Sequence, residues 1–410
     1  MKILKLFIPC LLIGFSILLN CTNSSTNPTD LNEILIGALI PLSGDYANQG
    51  QEILAALNCA VEDINSEFEN NKKTTRIKLI YSDTETDSSI AKVQMESYIA
   101  QDIRITIGPL TSVEVNAVKD DINASNNLLI SPSSTLTSLS IADDNIFRFV
   151  PDDAKTIEAT VEVMWDQGIR HLAIFYVDNA WGKGFVSLIQ EQFEAKGGSY
   201  IGDVTFIGSR ESELQEYLNE LSEMVDPTVS AVDPSTVAIQ MICLDVGSFL
   251  LQLASADTTL GKVKWFGCDG YVNTDELFLY YDEGAEFAEH VEFTSLIFGS
   301  PSTDESQVLV DRITSLTNST PGAYSLLTYD ALTIAAKVLD EVGENATITE
   351  LKEKLISICA THSGMTGNII LNDAGDRENG SYFFWKIVVD GDTYKWEHVI
   401  TYTDGIIDYL

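Results

Sequence analysis

The feature that most constrains this chain is an alternation of short apolar runs with amphipathic segments, repeated from residue 34 to beyond residue 260. Residues 34–40 form a continuous apolar run, and 51–68 then place Ile53, Leu54, Leu57, Val61 and Ile64 at helical spacing. A strand without polar alternation is buried on both faces, as in a parallel sheet, and the stripe after it belongs to a helix lying back on that sheet. The pattern recurs as strands over 77–81, 103–107 and 128–130, with helices over 88–101, behind Asp87 as N-cap, and over 112–125. A second series has strands over 172–176, 200–206, 237–244 and 263–266, and helices over 154–167, 184–196, 213–225 and 246–256. Two such series predict an α/β protein with two doubly wound, Rossmann-like parallel sheets, each binding, if anything, at the carboxyl ends of its strands. After Gly270 the rhythm loosens. Helices are predicted over 326–342 and 347–358, and strands over 367–373, 382–389 and 395–401, with turn-rich 373–380 among them.

The start of the chain has a different logic. Lys2 and Lys5 precede an almost wholly apolar stretch over 6–19, which runs into Asn20 and Cys21. That is the charged and apolar pair of regions of a secretory signal, and it is short of the roughly 20 residues a bilayer span needs. Leu18-Leu19-Asn20-Cys21 resembles the lipobox of bacterial lipoproteins, in which the cysteine becomes the lipidated first residue, although Asn20 departs from the usual small residue. The other reading makes Cys21 an ordinary residue beside a conventional cleavage site. The expectation is an exported periplasmic or cell-surface lipoprotein, with signal over 1–21, a lipid anchor on Cys21 and a flexible tether over 22–33. Cys59, Cys243, Cys268 and Cys359 remain, and both a disulfide and buried thiols are open for them.

Several function classes are excluded. With 24 basic against 61 acidic residues the net charge is −37, which repels phosphate backbones, so no nucleic-acid partner is expected. Gly182-Lys183-Gly184 lacks the third glycine of a dinucleotide loop, and no phosphate-binding loop, H-E-x-x-H or G-x-S-x-G occurs. His171, His290, His362 and His398 are dispersed, and Asp143-Asp144 and Asp152-Asp153 fall where turns and helix caps favour carboxylates. The chain is therefore expected not to be an enzyme, with no catalytic residue, cofactor or metal.

Hydroxyl-rich strand ends remain. Gly108-Pro109-Leu110-Thr111-Ser112 leads from strand to helix, and Ser131-Pro132-Ser133-Ser134-Thr135 follows the next strand. A helix N-terminus with hydroxyls beside it suits a carboxylate, while the same residues also serve plain N-capping by Ser112 and turn chemistry at Ser133 to Thr135. Gly267-Cys268-Asp269-Gly270 ends the last strand of the second series. Buried there, Asp269 needs a partner such as an ammonium; exposed, it is a turn residue. Together the two ends match an α-amino acid zwitterion.

Residues 36–47, Ile-Gly-Ala-Leu-Ile-Pro-Leu-Ser-Gly-Asp-Tyr-Ala, with Ala60-Val61-Glu62-Asp63-Ile64-Asn65, resemble the amino-terminal signature of type I periplasmic binding proteins, in the leucine/isoleucine/valine-binding branch that serves ABC importers. The resemblance continues through Ile107-Gly108-Pro109, Ile130-Ser131-Pro132, Phe147-Arg148, Asp178 with Trp181-Gly182-Lys183-Gly184, Gly267 to Gly270 and Thr328-Tyr329-Asp330-Ala331. It implies two lobes joined by three crossovers near Val150, Tyr271 and Ala360: 34–149 with 272–359 as one lobe, and 150–271 with 360–410 as the other. It also implies that Ser112 and Thr135 meet a ligand carboxylate, with the backbone around Leu110 and Ser133, and that Asp269 takes the ammonium. Tyr46, Gln49, Thr111, Trp181 and Cys243 complete the expected pocket. Asp269 stands where that branch commonly has Glu, Gln49 where a residue is often aromatic, and Trp181 and Cys243 where tyrosines are usual; its disulfide positions are Thr86 and Thr111 here. The function implied is a substrate-binding component that closes on an amino acid or similar solute and docks on a membrane ABC permease. A ligand sensor for amides, urea or small carboxylates, and an exported hydrolase using a nucleophile such as Cys268, are the alternatives.

Overall fold

The computed structural model of the chain describes residues 31–244, 246–299 and 302–410. The export signal, Cys21 and most of the expected tether lie outside the described residues. The first series runs β1 (Asn32–Ile40), α1 (Ala47–Asn70), β2 (Thr75–Asp83), α2 (Ser88–Ala100), β3 (Ile105–Ile107), α3 (Ser112–Asn123), β4 (Leu128–Ser131) and β5 (Ile146–Arg148). Its five strands are parallel in the order β2-β1-β3-β4-β5. Successive side chains alternate across this sheet: Ile36 and Ile130 pack with Leu57 of α1, while Leu39 and Leu129 pack with Met95 of α2 and Val118 of α3. Both faces are covered, which is why these strands read as unbroken apolar runs.

The second series is α4 (Asp153–Asp166), β6 (His171–Val177), α5 (Ala180–Ala195), β7 (Ser199–Phe206), α6 (Glu211–Ala231), β8 (Val237–Ile242), α7 (Gly247–Ala254), β9 (Lys264–Phe266), α8 (Glu276–Tyr280), α9 (Asp282–His290) and β10 (Thr294–Gly299). Next come α10 (Asp304–Thr317), α11 (Ala323–Val342), α12 (Ile348–Cys359), the hairpin β11 (Ser363–Gly364) and β12 (Gly367–Asn368), then β13 (Ser381–Asp390), β14 (Thr393–Thr403) and β15 (Ile406–Tyr409). The second sheet has eight strands in the order β15-β14-β13-β10-β9-β8-β6-β7, antiparallel from β10 through β15 and otherwise parallel. Leu172 and Ile174 face the core shared with α4 and α5, and Ala173 and Phe175 the core under α6, α7 and α9.

Two expectations need correction. The second crossover is not near Tyr271: β10 pairs with β9 and β13, so the chain stays in the second lobe through Gly299. It returns to the first lobe with α10, whose Arg312 Nη1 donates to Asp63 Oδ2 on α1 at 2.7 Å. Of the strand expected over 367–373, only Gly367–Asn368 forms, because the following backbone is drawn to the crossover near Arg148. There, Arg148 N–H donates to Gly375 O at 3.0 Å and Arg377 N–H to Arg148 O at 2.9 Å, so two connections between the lobes run side by side. Arg148 is fully buried and donates from Nε and Nη2 to the two oxygens of Asp376, each at 2.6 Å. Of the four cysteines left open, Cys59, Cys268 and Cys359 are buried free thiols, and Cys243 is buried as well.

Candidate functional site

The strand ends of both sheets face one cleft with about 550 Å³ of empty space, part of it open to solvent. Tyr46, Gln49, Leu110, Thr111, Ser112, Ser133, Thr135, Trp181 and Asp269 all line it, joined by Val113, Asn179, Leu244, Gly270 and Tyr324. Cys243 does not. Side-chain alternation beyond β8 sends Cys243 with Met241 into the second core, and the next residue, Leu244, forms the wall.

On the first lobe Thr111, not Ser112, caps α3. Thr111 Oγ1 accepts from Glu114 N–H at 3.3 Å, and Glu114 Oε2 accepts from Thr111 N–H at 3.0 Å and from its hydroxyl at 2.7 Å, a capping box. Ser112 is thereby left to tie two strand ends together: its Oγ accepts from Thr135 N–H at 3.2 Å, Leu136 N–H at 3.3 Å and the Ser134 hydroxyl at 3.0 Å. Its own proton is available to an acceptor in the cleft. The Ser133 hydroxyl is committed elsewhere, donating to Leu110 O at 2.6 Å. Thr135 carries the other hydroxyl of this wall.

On the second lobe Asn179 caps α5 by accepting from Gly182 N–H at 2.8 Å, which sets the turn that carries Trp181; the indole packs edge-on against Phe185. Gly270 is required where it is, since a Cβ there would lie 2.5 Å from Cys243 O and 3.0 Å from the Trp181 ring. Asp269 is partly buried. Its Oδ2 accepts from the hydroxyl of Tyr324 at 2.7 Å, whereas Oδ1 is shielded from solvent and has no hydrogen-bond partner. Tyr324 begins α11 of the first lobe, so this bond joins the lobes across the cleft. Near Asp269 lies Asp153, 1% exposed, with the Thr135 hydroxyl beside its carboxylate and no cation paired with it. Burial raises the pKa of Asp269, and burial followed by the Asp269 charge pushes that of Asp153 well above the carboxylate range. Among the described residues no Lys, Arg or His lines the cleft.

The sequence reading passed over Asn179, Leu244 and Tyr324, and took Asp153 together with Asp152 as a turn or cap residue. Asn179 was findable as a cap directly after a strand, and Tyr324 as a residue at a helix start. Asp153 carried no such signal beside Asp152, which does cap α4, accepting from Ala154 N–H at 3.2 Å. Among the described residues no cluster of His, Cys, Asp and Glu is placed to hold a metal ion, and no helix is long and apolar enough to cross a membrane.

The Tyr324 bond yields a direct test. Tyr324→Phe leaves Asp269 without its donor, and a hydrogen bond to a charged group contributes about 1.5–3 kcal/mol. Scattering of the ligand-free variant is expected to show a larger radius of gyration, the lobes having lost this contact; an unchanged radius would refute the bridging role.

Two doubly wound lobes, linked by three passages of the chain and facing each other with their strand ends, have the type I periplasmic binding protein fold. The chain belongs to the periplasmic binding protein family, whose profile matches residues 33–392. It is 29% identical over 407 residues to an uncharacterized protein of Methanocaldococcus jannaschii, covering 93% of this chain and 94% of that one. It is similar in fold to the branched-chain amino acid transporter substrate-binding protein of Streptococcus pneumoniae solved with isoleucine, at a TM-score of 0.70 and 18% identity, over 90% of this chain and 100% of that one. A solute-binding protein of an ABC transporter from R. palustris, solved with 4-hydroxybenzoate, gives a TM-score of 0.74 and 16% identity over 92% and 98% of the two chains.

Proposed function

We propose that this protein is the extracytoplasmic substrate-binding component of an ABC importer, and that its ligand is an amino acid or a similar small zwitterion. It is exported, held to a bacterial membrane through lipid on Cys21, and delivers its ligand to a membrane permease. The observation that carries the ligand class is the polarity of the cleft: Ser112, Thr135 and the start of α3 on one wall, and the unpartnered Oδ1 of Asp269 on the other. Hydroxyls and a helix N-terminus hold a carboxylate without neutralising it, and a buried acid calls for a cation. A benzoate satisfies the first wall and leaves the second unpaired, which sets it apart from an amino acid. Trp181, Leu244 and Tyr46 supply an apolar rim for the side chain.

The ligand works by differential binding. It touches both lobes only when they are together, and that difference alone shifts the equilibrium toward the closed form. A shift from 1:99 to 99:1 takes about 5.5 kcal/mol, within the roughly 8 kcal/mol that a micromolar ligand supplies.

Thermal melting of the full chain with each proteinogenic amino acid, urea, small amides and benzoates tests this. At a hundred times its Kd a ligand adds about 2.7 kcal/mol, enough to raise the Tm visibly. An amino acid is expected to do so and benzoate to leave the transition where it is; a benzoate that stabilises when no amino acid does would overturn the reading.

A further inference from the structure

We propose that ligand binding in this cleft is proton-linked: the free protein keeps one proton on the carboxyl pair of Asp153 and Asp269, and an incoming ammonium group expels it. The inference rests on the amino-acid reading above.

Asp153 is the first residue of α4, sealed from solvent, with the Thr135 hydroxyl beside its carboxylate and no cation paired with it. Among the described residues, the charged or titratable groups near it are already committed or are themselves acidic or neutral. On its own helix Asp152 is an acid, occupied as the cap. From β5, Arg148 is the nearby cation, but its guanidinium is already shared between Asp376 at 2.6 Å and Leu136 O at 2.8 Å. From the loop after β9 come Asp269 and the buried thiol of Cys268; from α11 comes Tyr324, which donates to Asp269; from β13 comes Tyr382, whose hydroxyl lies 3.5 Å from Thr156 Oγ1. The hydroxyl of Thr135 is the remaining polar neighbour. None brings an uncommitted positive charge.

Asp153 is sealed and the Oδ1 of Asp269 is shielded, so each carboxylate resists ionising beside the other, and the pair titrates as a unit and retains a proton where a lone Asp would have lost it. An ammonium at Asp269 reverses the balance. The O–H bond of Asp153 breaks, its proton passes to the solvent buffer, and the carboxylate left behind is stabilised by the ligand cation and by the N-terminus of α4, on which it sits. No electrons change hands. Because binding releases a proton, affinity must strengthen as pH rises between the pair's pKa with ligand and its pKa without, by up to roughly tenfold per pH unit, and be flat outside that window.

Calorimetry on the full chain decides the matter. Each proteinogenic amino acid is titrated near pH 7, and the tightest binder is then measured in phosphate and in Tris, whose ionisation heats differ widely. The expected result is a binding heat that changes with buffer in proportion to about one proton released per ligand, and a heat independent of buffer in Asp153→Asn. Should that variant misfold, the wild-type affinity over the pH range in which the protein stays folded serves instead, with a rise expected in one interval of it. Heat that is independent of buffer in the wild type, or a flat affinity over that range, overturns the proton linkage alone. Silence from every amino acid overturns the ligand reading beneath it as well.

Discussion

Arg148→Ala is expected to lower folding stability by about 3–5 kcal/mol, read as a fall in the urea midpoint at an unchanged slope. The size follows from what the guanidinium leaves behind. Asp376 is 1% exposed and accepts both of its close hydrogen bonds from Arg148, so truncation strands a carboxylate away from water. The carbonyl of Leu136, in the loop that carries Thr135, loses its 2.8 Å donor at the same time. Because Arg148 also binds the third connection through its own backbone, the damage lies where the lobes are articulated. Arg148→Met together with Asp376→Leu is expected to recover much of the loss, since removing both partners leaves no unpaired charge. A single variant as stable as the wild type would show that the pair is not holding the connections together.

Asp269→Asn is expected to weaken an amino-acid ligand by about 2–5 kcal/mol, a loss of roughly thirtyfold to several thousandfold. The substitution is chosen for what it preserves. Asn keeps the volume and an oxygen for the Tyr324 hydroxyl, now 2.7 Å from Oδ2, so the contact between lobes persists while the negative charge is lost. The ammonium is then buried against a neutral amide. Folding stability should not suffer, because burial already raises the pKa of this acid and the charge beside Asp153 disappears. An unchanged calorimetric Kd in a folded variant would remove Asp269 from the binding wall.

Strand and helix were legible wherever both faces of a sheet are covered. The apolar runs 34–40, 172–176 and 237–242 all mark strands that lie between helical layers. After Gly270 periodicity still marked α11, α12, β13 and β14, but it missed β10, whose place between β9 and β13 depends on distant partners that no local pattern encodes. The crossover near Tyr271 was misplaced for the same cause. In the cleft, residues carried by strand ends were readable, because the ends of parallel strands converge by geometry alone. Cys243 shows the limit of that rule, where an error of one position exchanges wall for core. Asp152 and Asp153 show another: identical residues, adjacent in the chain, of which one caps a helix and the other is buried without a cation.

The chain visits the first lobe twice, and this bears on how the protein comes into being. The five strands of that sheet are complete at Arg148, yet α11, which packs against α1 and supplies Leu327, Leu332 and Ala335 to the same core, begins only at Ala323. A ribosome would deliver about two-fifths of the polypeptide between the two. Throughout that interval one apolar side of the nascent sheet is covered by α1 alone, so the lobe matures only after synthesis is nearly over, and chains stopped short of α11 should aggregate instead of leaving behind a usable half-receptor.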